Sequence, residues 1–253
     1  MSVKVPRACV MGHPIAHSRS PMIHGYWLRT LGIDGAYDFK DVMPDEFREF
    51  LTHLPERGYV GGNITVPHKE TAFVLVDRRD AAAEAIGAVN TVWIEEGVLI
   101  GGNSDAHGFV TNLDECAPGW DEPDCRAVVL GAGGAARSAA YALINRGVEV
   151  ALVNRTFARA QELAAHFGSR IRAHGVPDLT RLLRAADLLV NCTSRGMSGM
   201  PALDMDLGSL KRSAVVCDVV YVPLETDLLA EARSRGHRTV DGLGMLQIGR
   251  AHV

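Results

Sequence analysis

The chain has 253 residues, 47% of them hydrophobic and 22% charged, with a formal net charge of −4. That balance supports a full core, in one large domain or two smaller ones, and argues against a nucleic-acid surface, which needs a basic stripe. No apolar run reaches the length of a membrane span, the start lacks the apolar core of a signal peptide, and the five cysteines are never spaced CxxC, so a reducing cytoplasm without a disulfide framework or zinc site is expected.

In chain order, Ala8 to Met11, stopped by Gly12, reads as a buried strand. Pro21 to Leu31 reads as a helix, with Ser20 as candidate N-cap and Pro21 in the first turn. Ala36 to Val42 reads as a strand, Asp45 to Leu54 as an amphipathic segment, Tyr59 to Ile64 as a strand and Lys69 to Leu75 as a helix. Val89 to Ile94 and Val98 to Ile100 form a candidate hairpin around Glu95-Glu96-Gly97. Asp105 to Asp114 reads as a helix joining two domains, and Pro118 to Pro123 as a surface turn. Ala127 to Leu130 (strand), Ala135 to Asn145 (helix), Glu149 to Val153 (strand), Ala158 to Phe167 (helix), Leu188 to Val190 (strand) and Ala214 to Val219 (strand) follow. Their alternation implies parallel βαβ units, and the fold class is α/β in two domains.

Gly131-x-Gly133-x-x-Ala136 follows a strand and opens a helix, the context in which such a loop binds a dinucleotide. Gly131 allows the tight turn, Gly133 lets the backbone approach a pyrophosphate, Ala136 permits close helix–strand packing, and the helix N-terminus offers N–H groups. Where an NAD site usually places an acidic residue on the ribose, this chain has Asn154-Arg155-Thr156, with Arg159 one turn beyond. Arginine attracts a 2′-phosphate, so NADP is expected over NAD. The competing view of Arg155 and Arg159 is solvated surface charge, with Thr156 capping a helix. Asn191 to Met197 follows another strand and is placed beside the nicotinamide.

In Gly12 to Pro21, Ser18 and Ser20 stand two apart, so both can face one ligand in an extended segment. His13, His17 and His24 lack an acidic or thiol partner nearby, which disfavours metal, and no G-x-S-x-G elbow supports a hydrolase. Gly62 to Lys69 puts an amide, a hydroxyl and an ammonium in a polar turn, and Gly102-Asn103-Ser104-Asp105 offers the carboxylate that a lysine needs as partner.

Together these segments resemble the shikimate dehydrogenase family. The stretch from Gly12 to Pro21 resembles its G-x-P-I-x-H-S-x-S-P signature, Gly62 to Lys69 its G-x-N-V-T-x-P-x-K, Gly87 to Thr91 its G-A-V-N-T, and Gly102 to Gly108 its G-x-N-T-D-x-x-G. The nucleotide loop, Asn154 to Thr156, Asn191 to Met197, Asp218 to Pro223 and Asp241 to Leu246 follow in family order. The resemblance implies NADPH-dependent reduction of 3-dehydroshikimate to shikimate, in aromatic amino-acid biosynthesis, by a cytoplasmic monomer or homodimer. It implies Ser18, Ser20, Thr65, Lys69, Asn90, Asp105 and Tyr221 as shikimate contacts, with Lys69 and Asp105 as the catalytic pair. It further implies Gly131, Ala132, Gly133, Gly134, Ala135, Asn154, Arg155, Thr156, Arg159, Thr193, Met197 and Gly242 as cofactor contacts. The chemistry agrees: an ammonium stabilises charge building on a carbonyl oxygen and donates the proton, while Asp105 orients Lys69.

The implied layout is a substrate domain over 1–105, to which 241–253 return, and an NADP-binding Rossmann-like domain over 106–240, with the site in the cleft between them. Alternatives are a quinate/shikimate dehydrogenase using NAD and a non-catalytic NADP-binding regulator; the retained Lys69 and Asp105 oppose the latter. Departures from the family pattern are Ser104 for Thr, Gly25 for Asn, and the C-terminus. There Gly249 stands where the family has a substrate-contacting Gln, and Ile248 to Val253 lacks an apolar helical period. One set of codons for that hexapeptide reads as the start of a sequencing adapter. Residues from about Gln247 are therefore expected to be foreign and the natural chain longer.

Overall fold

A computed structural model describes residues 5–252, which fall into two compact units divided between Ser104 and Asp105. Among these residues no helix is long and apolar enough to cross a membrane.

The first unit is a mixed sheet of β1 (Arg7–Gly12), β2 (Ala36–Asp41), β3 (Gly61–Ile64), β4 (Arg78–Arg79), β5 (Thr91–Glu95) and β6 (Val98–Gly102), in the order β2-β1-β3-β5-β6-β4. β1 pairs in parallel with β2 and β3, whereas β5 runs antiparallel to both β3 and β6. The expected hairpin is β5–β6; Glu96 (φ 52°) and Gly97 (φ 80°) make its turn, a pair of left-handed residues whose twist suits the flanking strands. The helices are α1 (Ser20–Leu31), α2 (Phe47–Thr52), α3 (Lys69–Leu75) and α4 (Ala81–Ile86). Phe47, Leu51, Leu54, Ile64 and Val92 are at most 1% exposed and form the centre of this unit's core. α4 was not expected from the sequence. It is six residues long, bounded by Asp80, whose side chain accepts from the Ala83 N–H at 2.6 Å, and by Gly87 at φ 72°.

α1 begins one residue earlier than expected. Arg19 holds the N-cap position without a side-chain bond, and Ser20 is already helical and fully buried. The reason is local: Ser18 Oγ accepts the Ser20 N–H at 3.3 Å, so the hydroxyl two residues back serves the first orphan donor.

The second unit opens with α5 (Asp105–Cys116). It continues through β7 (Arg126–Leu130), α6 (Gly134–Asn145), β8 (Glu149–Val153), α7 (Phe157–Phe167), β9 (Ile171–His174), α8 (Leu179–Leu183), β10 (Leu188–Asn191), β11 (Val215–Asp218), α9 (Asp227–Ser234), β12 (Arg238–Val240) and α10 (Gly242–Ala251). All strand pairs are parallel, in the order β12-β11-β10-β7-β8-β9. That is the doubly wound order, reversing between β7 and β10. β10 and β11 are buried throughout, as strands covered on both faces must be, which explains their unbroken apolar runs.

The chain end differs from its sequence reading. Residues 242–251 form a regular helix, capped by Asp241, whose side chain accepts the Leu243 N–H at 2.8 Å. α10 lies along α5, within the second unit. Small residues rather than an apolar stripe make this packing: a Cβ on Gly108 of α5 would stand 2.5 Å from the Met245 carbonyl oxygen and 3.0 Å from the Gly249 nitrogen.

Candidate active site

In the first unit the backbone gathers three of the polar segments at the C-terminal ends of β1 and β3. The His13 N–H donates to the Val66 carbonyl at 3.0 Å, and the Thr65 N–H to Met11 at 2.9 Å. Gly12 is required there, since a Cβ would meet Thr65 Cγ2 at 2.5 Å and Ile15 Cδ1 at 2.9 Å. The third segment joins when Val89 N–H donates to the Lys69 carbonyl at 2.9 Å and Ile64 N–H to the Asn90 carbonyl at 2.7 Å. Ser18, Ser20, Thr65, Lys69 and Asn90 thus come from loops stitched directly to one another. Lys69 is the first residue of α3 and is partly buried, while Ser20 and Asn90 are fully buried.

His68, just before Lys69, was not singled out from the sequence. It is 2% exposed, stacks on Phe47 with ring centroids 4.0 Å apart, and places Nε2 2.8 Å from the Val42 carbonyl oxygen. Burial pushes its pKa below the usual imidazole range, so a neutral ring anchors the loop that carries Lys69. Asn103 likewise braces the loop before Asp105 by donating to the Ala88 carbonyl at 2.8 Å. Asp105 opens α5 and is 8% exposed.

In the second unit, the expected cofactor residues cluster at the C-terminal ends of the parallel strands. Gly131 has φ 107°, and a Cβ there would approach the Cys192 carbonyl oxygen to 3.2 Å, so the loops after β7 and β10 meet where the strand order reverses. Gly133 caps α6 in extended conformation and has open space where a Cβ would be, leaving the backbone accessible. Ala132 is 7% exposed, Gly134 and Ala135 form the first turn of α6, and Ala136 is fully buried against the sheet. Residues of this kind fit a pyrophosphate: open backbone, a helix N-terminus and no side chain in the way.

Asn154, Arg155 and Thr156 join β8 to α7, with Asn154 Nδ2 donating to the Thr156 carbonyl at 2.8 Å. Thr156 occupies the N-cap position yet makes no side-chain cap bond. Arg155 and Arg159 are both exposed around the start of α7.

Asp218, which the sequence marks only as the start of a family-like segment, anchors two of these loops. Fully buried at the end of β11, its Oδ1 accepts from Asn191 Nδ2 and from the Val220 N–H, each at 3.0 Å, and its Oδ2 from Thr226 Oγ1 at 2.7 Å. Asn191 in turn accepts from Thr193 Oγ1 at 2.7 Å and donates to the Arg195 carbonyl at 3.1 Å. One carboxyl therefore pins two loops, those bearing Thr193 and Met197 and that bearing Tyr221. A further bond, Ser198 N–H to the Val222 carbonyl at 2.8 Å, ties them together. Gly242 begins α10, and its N–H donates to the Val220 carbonyl at 3.3 Å. A cavity of about 350 Å³ beside Arg126, Glu149, Arg170 and Arg172 opens mainly at the opposite strand ends and extends along β9 to His174.

Family models match both units: "Shikimate dehydrogenase substrate binding domain" over residues 10–92 and "Shikimate / quinate 5-dehydrogenase" over residues 119–219. A shikimate dehydrogenase (NADP(+)) of Mesorhizobium japonicum is 58% identical over 241 residues, covering 95% of this chain and 86% of the relative. Among solved structures, shikimate 5-dehydrogenase from Thermus thermophilus, in complex with NADP(H) and shikimate, is 39% identical with a TM-score of 0.84, covering 96% of this chain and 90% of that one. Quinate dehydrogenase from Corynebacterium glutamicum, in complex with NAD, is 30% identical with a TM-score of 0.85, covering 97% and 91%.

Proposed function

The chain belongs to the shikimate dehydrogenase family, and from that premise we infer that it interconverts 3-dehydroshikimate and shikimate with NADP(H), in the shikimate pathway. The observation that carries this reading is the stitching of the Ser18–Ser20, Thr65–Lys69 and Asn90 segments into one polar patch. A nucleotide-competent loop in the second unit, with arginines rather than an acid after β8, supplies the other half.

Bound NADPH supplies a hydride to the substrate's carbonyl carbon. Its pyrophosphate is assigned to the Gly131–Ala135 loop, its 2′-phosphate to Asn154, Arg155, Thr156 and Arg159, and its nicotinamide side to Thr193, Met197 and Gly242. Lys69 carries the proton chemistry: its ammonium faces negative charge developing on the carbonyl oxygen and gives up a proton as the alcohol forms. Asp105 is the second catalytic group, and Ser18, Ser20, Thr65, Asn90 and Tyr221 hold the substrate's hydroxyls and carboxylate. The enzyme is assigned to the cytoplasm, as a monomer or homodimer.

The test is an absorbance assay of NADP reduction by shikimate. Lys69→Ala is expected to lower kcat by roughly 10²-fold or more, the usual worth of a positioned acid or base. Unchanged turnover would remove Lys69 from the mechanism. Running shikimate and quinate with NADP and NAD is expected to favour shikimate with NADP.

A further inference from the structure

We propose that Tyr37, Asn63 and Thr91 form a one-way chain of hydrogen-bond donors that positions the Asn90 amide for substrate. The proposal deepens the functional reading and rests on the assignment of Asn90 as a shikimate contact.

The orientation of Asn90 is determined by groups that cannot reverse. The Ser104 backbone N–H, which only donates, meets Asn90 Oδ1 at 3.0 Å, so the oxygen end of the amide must face it. Asn90 Nδ2 then donates to Ser104 Oγ at 3.1 Å. Thr91 Oγ1 also donates to Asn90 Oδ1, at 3.0 Å, and Ser104 Oγ lies 3.5 Å from the same oxygen. Thr91 Oγ1 is itself the acceptor for Asn63 Nδ2 at 3.0 Å, which leaves its proton directed at Asn90. Asn63 turns its Oδ1 to the Tyr37 hydroxyl at 2.5 Å. Each of these three bonds runs donor to acceptor from Tyr37 toward Asn90.

The chain crosses the sheet. Tyr37 is in register with Ala8 of β1, and Asn63 with Val10 two residues on, so the phenol reaches over β1 to bond a side chain of β3. Its ring is held against His24, with centroids 4.0 Å apart and planes 12° apart. Asn63, Asn90 and Thr91 are 3%, 0% and 6% exposed. A buried polar series of this kind is costly unless each member is satisfied, and apolar residues would fill the same space at less risk. What the series gains is a fixed amide. The Ser104 N–H and the Thr91 hydroxyl on Oδ1 hold the side-chain plane and polarise the amide, which strengthens donation from its nitrogen to a hydroxyl of a polyhydroxylated acid.

Thr91→Val tests this, since it removes the hydroxyl while nearly preserving shape. The expected result is a rise of roughly tenfold in the KM for shikimate, the scale of one hydrogen bond lost at a buried site, with the KM for NADP unchanged and kcat altered less than about twofold. Thr91→Ser, which restores the hydroxyl, is expected to return the KM to within about twofold of the parent, and Tyr37→Phe to raise it by about threefold. A merely structural role would lower the melting temperature without separating the two KM values. Asn90→Ala is measured alongside. If it leaves the shikimate KM unchanged, the assignment beneath the proposal fails, and the proposal with it. If it raises that KM while Thr91→Val and Tyr37→Phe, assayed well below their melting temperatures, do not, the site reading stands and the positioning chain is overturned. Should Thr91→Val not fold, Tyr37→Phe decides by the same criterion.

Discussion

Asp218 shows how one side chain can matter to a site without touching a ligand. Burial pushes its carboxyl from 3.8 up to about 6, while the bonds from Thr226, the Val220 N–H and Asn191 pull the other way. The folded state therefore holds its proton more tightly than the unfolded state does between those two values. Stability from this group is fully present below the unfolded value and is lost as pH rises through the folded one. A shift of that size corresponds to about 3 kcal/mol across the window. Asp218→Asn keeps an oxygen for Asn191 and Val220 and an N–H₂ for Thr226, and it has no charge to bury. Urea denaturation of both proteins from pH 4.5 to 7 should therefore show the variant gaining on the parent as pH rises. A constant difference would mean that the ionised carboxylate is fully compensated by its three donors. Thr226→Val, which deletes the donor to Oδ2, is expected to cost about 1–3 kcal/mol near neutrality and to raise the KM for NADP by loosening the Thr193–Met197 loop.

At the level of elements, the long and strongly patterned ones were legible. β1, α3, β7, α6, β8 and α7 follow their sequence readings within a residue or two, because an apolar run, a cap signal or a glycine at the break marks each of them. β9, α8, α9 and β12 were not read. β9 carries Arg172 and His174 among its four residues, α8 is five residues long, and β12 is three. Pieces that short are stable only through packing against neighbours, and a single chain read in order does not display its neighbours. The same holds for the site: its segments could be recognised, but the hydrogen bonds from Asn90 to Ser104 or from Asn191 to Asp218 join residues 14 and 27 apart. α10 is the clearest instance, since its partner surface on α5 is a glycine. Gly108→Ala places a methyl against the Met245 carbonyl, so α10 must shift or α5 must bend. A loss of about 1–3 kcal/mol in unfolding free energy is expected, despite alanine's better helix propensity. Thermal melting checks it, and a stabilised variant would show that the two helices are not packed this closely.

Over the whole molecule the charge is −4, so the long-range field disfavours an anionic cofactor and binding must rest on local groups. At about 0.1 M ionic strength that field decays over roughly 10 Å, whereas an arginine in contact with a phosphate is screened far less. Arg155 and Arg159 are exposed around the start of α7, which suits groups that meet an external anion. Their contribution should then be specific to the 2′-phosphate rather than to nucleotides in general. Arg155→Ala is expected to raise the KM for NADP by roughly tenfold or more, the worth of a charge-assisted pair, while leaving the KM for NAD within about twofold. Raising salt to about 0.5 M should weaken NADP binding in the parent more than in the variant, narrowing the gap between them. Equal losses with NADP and NAD would mean that Arg155 supports the loop rather than the phosphate, and the cofactor preference would then have to come from Asn154 and Thr156.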